Sequence, residues 1–552
     1  MGSLILELEW GKDNMENENK NLYLDIPKEK LKFANADRVI HDKELETKPI
    51  GFFKDAMIRF KKNKSSVVAS FIILFLFLYA IIIPIAFKNN YNSAVGDTDF
   101  LQYGKLLPKS HIFKWLGWDG TKTTIIDNIS FVKKQALAVE TGEVVVSNWE
   151  KIVQPDGVSF KCKIDSYTGL GMKTQTFTRD EYDALQRWQE ETGIQVIFPY
   201  VNYNELTEGL PNNIAGKVKT NPDIWYKVNK KGQPVYTMDE DGNCTFTNCY
   251  MLANGKDNYT SLRIEDPNGP QYQYANLTGT AEYDDGGNIH YDEDGYIVGS
   301  IGYVCRISKY SYFQYKYGFE PTFIFGTNDR GQDIFVRLAQ GARFSFVLAI
   351  FVSAINLTIG AFYGAIEGYY GRATDMIMER IVEILGGIPF IVVTTLFQLH
   401  LAQHVGVVGA LLFAFVATGW IGMAGRVRMQ FYRFKNQEYI LAARTLGAKD
   451  FRIMFKHIFP NALGTLVTST VLVIPGVIFS ESSLTYLGII NLESSKWTSV
   501  GTMLALGKDY LQTFPHIIFF PALFISLLEI SFNLFGNGLR DAFNPSLRGS
   551  EW

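Results

Sequence analysis

Several groups of residues in this chain have types and spacings that could do chemistry. Cys162, Cys244, Cys249 and Cys305 are the four cysteines of 552 residues and all fall in one polar stretch. An even number confined in this way reads as two disulfides on an oxidising side. Three pairings are open. Cys244–Cys249 as a local clip and Cys162–Cys305 as a closure of the stretch's ends is the favoured one, against four buried thiols. The acidic turns Asp239–Gly242 and Asp292–Gly295 invite calcium, but neither has the EF-hand spacing with its terminal Glu, so turn chemistry is the better reading. His400 and His404 share a helix face as metal ligands could, yet no third ligand is evident and no metal site is expected. "GTMLALGKD" (Gly501–Asp509) has the outline of a phosphate loop, but five residues separate its glycines and Asp509 stands where Ser or Thr would hold magnesium. Glu529 lies inside an apolar run, where a charge is costly; it marks a translocation path or a packed structural carboxyl. No nucleophile–base constellation stands out, so the chain is not expected to be an enzyme.

The elements that must position these groups fall into two unlike parts. Val67–Phe87 is an apolar run of 21 residues, enough to cross a hydrocarbon core of roughly 30 Å. A long charged segment precedes it and no small-residue cleavage site follows, so it reads as a retained anchor rather than a signal peptide. Residues 1–50 have the composition of a disordered tail. Five further spans are expected at Ser345–Gly364, Ile381–Leu399, Val405–Met423, Leu463–Phe479 and Ile517–Leu534. Glu383 near the end of its span reads as a snorkelling carboxylate. The fold class is thus a polytopic α-helical membrane protein with six transmembrane helices. A polar insert, 89–325, separates the first span (51–88 with its lead-in) from a five-helix core, 326–544, and a short tail, 545–552.

The insert reads mainly as β-strands. "PVYTMDEDGNCTFTN" and "AEYDDGGNIHYDEDGYIVGSIGYV" alternate β-formers with Asp/Gly clusters, a hairpin signal. Arg179–Thr192 is its clearest helix. Residues 91–325 hold 22 basic and 30 acidic side chains. Basic residues crowd the other segments: Arg59 to Lys64 before the first span, Arg372 and Arg380, Arg426 to Lys456, and Arg540 with Arg548. With six spans all of these fall on one face. That face is cytoplasmic, with both termini, and the β-rich insert is extracytoplasmic. The formal net charge of −3 gives no footprint for nucleic acid.

Between the fourth and fifth spans lies "EYILAARTLGAKDFRIMFKHIFPNA" (Glu438–Ala462), too polar for a bilayer yet helically patterned. Tyr439, Ala442, Ala443 and Leu446 fall on one helix face. Gly447 follows as a C-terminal breaker. Asp450 can cap a second short helix whose face is Phe451, Met454, Phe455 and Ile458, and Pro460 ends the polar segment. Two short amphipathic helices are expected along the membrane surface, either resting on lipid or docking a partner.

This stretch resembles the cytoplasmic loop of ABC importer permeases, whose pattern is E-A-A, three residues, G, nine residues, I-x-L-P. Ala442, Ala443, Gly447 and Pro460 match in register. Leu441, His457 and Phe459 replace the Glu, Ile and Leu, and a His with "EY" upstream (Glu438, Tyr439) is usual in the peptide and nickel branch. "GTNDRGQDIFVRLAQGARFS", "GYYGRATDMIMERIVEILGGIPF", "GWIGMAGRVR", "ESSLTYLGI" and "FNLFGNGLRDAFNPSLR" resemble further stretches of that branch in the same order, with Gln332 in place of an Arg. The resemblance covers about residues 50–90 and 326–548 and leaves the insert without a family reading.

The resemblance implies the C-type membrane subunit of an oligopeptide or dipeptide importer with a type I ABC importer fold. It implies a second permease subunit, two ATPase subunits carrying ATP and magnesium, an extracellular substrate-binding lipoprotein and a peptide cargo, all at a bacterial plasma membrane, with no cofactor in this chain. The coupling loop is 433–460. Glu438, Tyr439, Ala442, Ala443, Arg444, Leu446, Gly447, Ala448 and Pro460 are its expected ATPase-coupling residues. Related permeases carry nickel, glutathione or oligosaccharide, which stand as alternative cargoes. A ligand-sensing membrane receptor is the alternative of another class, but a receptor would need one anchor rather than six spans. From position alone, the insert is expected to dock the binding lipoprotein.

Overall fold

Long uncharged apolar runs satisfy their backbone in lipid only as helices or closed barrels, and here they are helices. The computed structural model describes residues 52–87, 98–155, 157–247, 249–251, 275–293, 298–492 and 498–543; the expected tails 1–50 and 545–552 lie outside these. Lys64–Ala86, Ile334–Tyr370, Ala402–Phe434, Asp450–Tyr486 and His516–Phe543 are five helices long and apolar enough to cross a membrane. A sixth crossing requires the pair Arg372–Gly386 and Phe390–His400, bent by 71°. The expected third span, Ile381–Leu399, therefore contains a break. Gly386, Gly387 and Pro389 fall at it, and proline removes a helix donor and disfavours helical backbone at the residue before it.

Close backbone packing fixes the core. Gly360, Gly364 and Gly368 recur every fourth residue along Ile334–Tyr370. An added Cβ would lie 2.7 Å from the Met423 Cβ, 2.2 Å from the Ala424 carbonyl oxygen and 2.7 Å from the Phe431 Cβ, respectively. The helix Ile421–Phe434 thus lies backbone to backbone against this ridge, the small-residue packing favoured where lipid supplies no hydrophobic drive. At the other side of the bundle, the Ser66 hydroxyl donates to the Leu534 carbonyl at 2.9 Å, joining the first and last spans.

The insert is β-rich and lies between the first two spans. One antiparallel sheet runs Thr121–Asp127, Gly157–Asp165, Val146–Gln154. A second runs Asn276–Ala281, Gly299–Ser308, Met172–Phe177, with Ile197–Phe198 also paired to Gly299–Ser308. The first expected hairpin forms, and at the second stretch Asn276–Ala281 pairs Gly299–Val304 and Tyr283 bridges Ile289. Tyr236–Met238 pairs Cys244–Phe246, and Asp239 accepts from the Asn243 backbone at 2.7 Å, which is turn chemistry. The second acidic cluster lies partly outside the described residues. Arg179–Thr192 is a helix closed by a Thr178/Glu181 capping box.

The expected disulfides are not present: all four cysteines are free and buried. Sheet register explains this. Cys162 pairs across to Thr124 and packs with Phe131, Phe160 and Met172. Cys305 pairs across to Gln175 in the other sheet and packs with Tyr182, Leu185 and Tyr303. Cys249 sits in a third cluster with Trp225 and Tyr226, while the Cys244 thiol faces the Gly242 carbonyl at 3.9 Å. Each sulfur behaves as a small buried hydrophobe, and burial pushes the Cys244 thiol up to about 11.

A charged pair ties helix Asn128–Thr141 to the second sheet. Arg306 and Glu140 are each 1% exposed and meet at 2.9 Å. Arg306 also donates to the Pro199 carbonyl at 2.7 Å and the Pro222 carbonyl at 2.8 Å. The Tyr250 hydroxyl donates to Glu140 at 3.1 Å. Burial holds the Glu140 carboxyl above its ordinary value despite the opposing Arg306 charge.

Candidate functional site

The loop between the long helices is built on one anchor. Of the eight residues of helix Glu438–Thr445 only Ile440 is buried, in a cluster with Tyr369, Met423, Phe431, Ile453 and Ile458. Gly447 ends the helix with φ +82°, and its N–H donates to the Arg444 carbonyl at 3.0 Å. Tyr439, Ala442, Ala443 and Leu446 do share a side, but it faces outward, with Leu446 88% exposed. Glu438, Tyr439, Arg444 and Gly447 are exposed as well, while Ala443 and Ala448 are half-buried.

A polar clamp holds this helix to its neighbours. The Tyr369 hydroxyl donates to Asp450 at 2.6 Å, and Arg444 donates to that hydroxyl at 3.3 Å. Arg428 is held by Asp375 at 2.6 and 3.0 Å, with Glu379 at 3.2 Å and Glu367 at 3.4 Å. Two expectations are corrected here. Asp450 is the first helical residue rather than the cap, because its carboxylate is engaged by Tyr369. There is also no second free-standing helix: Asp450–Arg452 continues through a π-helical turn, Ile453–Ile458, into Phe459–Tyr486. Pro460 sits just after this widened turn, where its missing N–H is accommodated instead of ending the segment.

Away from the loop, a cavity of 490 Å³ opens between Phe459–Tyr486 and His516–Phe543, lined by Phe479, Ser482, Ser483, Tyr486 and Ser526 among others. Glu529 is half-buried one turn further along. With Ser526 and Asn533 it makes a polar stripe on a membrane helix, and the Asn533 amide donates to the Glu529 carbonyl at 2.9 Å.

Reading the sequence missed Glu481, which is fully buried. Its carboxyl accepts from Ser345 at 3.1 Å, Thr485 at 3.1 Å and Ser482 at 3.5 Å, and Ser499 is also a partner. The signal was a Glu followed by Ser482, Ser483 and Thr485 within an apolar run. The cage joins three segments, so Glu481→Ala is expected to lower stability by about 1–3 kcal/mol, and Glu481→Gln by less. Thermal inactivation in detergent distinguishes the two; equal losses would refute the cage.

Other candidates resolve plainly. Val500–Gly507 is a helix, with Gly501 packed so closely on Ser482 that an added Cβ would lie 2.4 Å from its Cα; it cradles no phosphate. Leu401 between His400 and His404 keeps right-handed helical backbone, the chain leaving it only at Gly406, and both histidines are exposed. Among the described residues no three His, Cys, Asp or Glu side chains group as metal ligands. Glu383 is exposed and paired with Arg380.

The lead-in "GTNDRGQD" folds as a buried polar knot. Thr327 donates to the Tyr103 carbonyl at 2.6 Å and accepts from the Leu106 N–H at 2.8 Å. Asp333 caps Ile334–Tyr370 by accepting from the Phe335 N–H at 2.8 Å. Burial pushes the Asp333 carboxyl from 3.8 up to about 7. The folded state therefore favours the protonated form. Its contribution is full below about pH 4 and lost as pH rises through 7, an effect on the order of 4 kcal/mol at most. Asp333→Asn should flatten the pH dependence of thermal inactivation between pH 4 and 7. An unchanged profile would rule this group out.

A multi-pass helical core, small-residue packing and an outward-facing loop helix define a polytopic helical membrane protein with a loop exposed to a partner or solvent. A family profile described as "Binding-protein-dependent transport system inner membrane component" matches residues 356–549, and one for the "N-terminal TM domain of oligopeptide transport permease C" matches 51–108. The oligopeptide transport system permease protein OppC of Bacillus subtilis (strain 168) is 43% identical over 225 residues, 41% of this chain and 72% of that protein. The dipeptide transport system permease protein DppC of the same organism is 40% identical over 229 residues, 41% of this chain and 69% of that protein. OppC of Escherichia coli (strain K12) is 36% identical over 228 residues, 41% of this chain and 72% of that protein. The chain belongs to this family of OppC/DppC-type permeases of binding-protein-dependent ABC transport systems. ATPase and binding-protein partners follow in general from that membership.

Proposed function

We propose that this chain imports oligopeptides or dipeptides across a bacterial plasma membrane, as one of two permease subunits above two ATPase subunits. ATP and magnesium reside in those partners. Both termini and the loop 433–460 face the cytoplasm, and the insert faces outward, where it docks a substrate-binding lipoprotein. Tyr439 to Lys449 is the coupling element: nucleotide-driven closure of the ATPases moves this helix, and the spans switch access from outside to inside. The observation that carries this reading is Leu446, 88% exposed on a helix that Ile440 and the Tyr369–Asp450–Arg444 clamp hold rigid. A large apolar side chain kept rigid and bare at a loop tip marks a docking surface.

The stripe Ser526, Glu529, Asn533 and the adjoining cavity line the translocation path, because polar groups on a membrane helix face partner or water rather than lipid. Glu529→Ala is expected to lower uptake severalfold with assembly unchanged; unaltered uptake removes Glu529 from the path. The test of the whole reading is gentle purification of the native complex. Two ATPase chains, a second permease and a peptide-loaded lipoprotein are expected to accompany it. A lone active chain would overturn the reading. Deletion of 89–317 should abolish coupling to the lipoprotein, and retained coupling would exclude an essential docking role for the insert.

A further inference from the structure

The insert contains a cavity of 340 Å³ that no part of the transport mechanism uses. Three segments line this open cavity: Lys133, Lys134 and Leu137 from helix Asn128–Thr141, the turn Gly169–Gly171, and residues between Asn221 and Tyr226. Its volume falls in the range of small-molecule sites.

Charged side chains of both signs line it. The Lys134 ammonium donates to the Gly169 carbonyl at 2.9 Å, and an added Gly169 Cβ would sit 3.4 Å from that nitrogen. The exposed Asp223 accepts from the Met172 N–H at 2.5 Å. Gly171, at φ +81°, leaves room for this carboxylate, since a Cβ there would lie 2.5 Å from its oxygen. Lys309 donates to the Leu170 carbonyl at 3.2 Å, adding a third ammonium beside the turn. Burial pushes the Lys134 amine below its ordinary value, with Asp223 opposing and Lys309 reinforcing the shift. Lys133, Lys134, Asp223 and the apolar Leu137, Ile224 and Tyr226 line one cavity, and together they complement a short molecule with a carboxylate, an ammonium and a small side chain.

We propose that this cavity binds the zwitterionic backbone of an amino acid or dipeptide, with its carboxylate at Lys133 and Lys134 and its ammonium at Asp223. The inference deepens the peptide-import reading and rests on it for the choice of dipeptide. The permease would then carry a substrate-receiving site of its own, outside the membrane and separate from the binding lipoprotein.

The test uses the intact permease–ATPase complex in nanodiscs without the lipoprotein, with tritiated Ala-Ala as the probe. Saturable binding is expected, weakened about tenfold by Lys134→Met, Lys133→Met or Asp223→Asn, as loss of one charge-assisted contact implies. Lys133 is exposed, so its variant keeps the fold and remains informative where Lys134→Met misfolds. N-acetyl-Ala-Ala methyl ester, which lacks both charges, should compete at least tenfold more weakly than Ala-Ala. Absence of saturable binding, binding indifferent to all three substitutions, or an ester that competes equally would each overturn the proposal. Peptide uptake with the lipoprotein restored separates the two readings. Uptake without this binding removes the cavity alone, whereas no peptide uptake under any condition removes the peptide reading beneath it.

Discussion

Leu446→Asp is expected to cut uptake roughly thirtyfold while leaving the permease folded. With 88% of its surface exposed, Leu446 contributes little to the chain's own core, so a polar replacement should change stability by no more than about 0.5 kcal/mol. An apolar anchor at the centre of a partner interface is worth about 2 kcal/mol or more when removed, and a buried aspartate adds a desolvation cost. Uptake into vesicles and retention of the ATPase chains on purification read the two halves of this expectation. Gly447→Arg should act in the same direction. An added Cβ at Gly447 meets nothing within 4 Å, but its φ of +82° costs an L-residue about 1–2 kcal/mol, and the long side chain then stands in the partner's way. Normal uptake with an intact complex in both variants would remove the coupling assignment.

Arg306→Met is expected to destabilise the insert by about 3–5 kcal/mol, the usual result of stranding one member of a buried ion pair. The substitution leaves Glu140, itself 1% exposed, without its countercharge, and deprives the Pro199 and Pro222 carbonyls of their donor. Glu140→Gln should cost less, because a neutral amide is cheaper to bury and can still accept from Arg306. Limited proteolysis of the full-length permease, read as the rate of cleavage within 98–251, checks both. An Arg306→Met insert as protease-resistant as the parent would show that the pair is dispensable.

Local patterns made much of the architecture legible. Helix Arg179–Thr192 and the hairpin around Asp239–Gly242 follow from capping and turn residues adjacent in sequence. The loop helix was found by its period, but its orientation was not. Periodicity says that Tyr439, Ala442, Ala443 and Leu446 share a face, whereas the anchoring of Ile440 among Tyr369, Phe431 and Ile458 decides which way that face looks. A hydropathy average runs smoothly across Gly386–Pro389 and hides the bend. The cysteines were beyond reach for a different reason: their separation is set by the registers of two sheets, which cysteine counting does not contain. Glu481 carried a local signal in Ser482, Ser483 and Thr485, but its cage closes only when Ser345 and Ser499 arrive from distant segments.

The glycine ridge has a mechanical consequence. Ile334–Tyr370 has 37 residues, a rod of roughly 55 Å at the usual helical rise, well beyond the roughly 30 Å of hydrocarbon it crosses. One end begins at the polar knot of Asp333 and Thr327; the other carries Tyr369, which grips the loop helix. With Gly360, Gly364 and Gly368 seated on the backbone of Ile421–Phe434, the two helices form a single thick beam with little freedom to slide. A beam of that length works as a lever: tilting it by about 10° displaces its ends relative to each other by roughly 10 Å. On the coupling role proposed for the loop, a push delivered there would be geared into a swing at the foot of the insert, without any relay of separate side-chain switches between them.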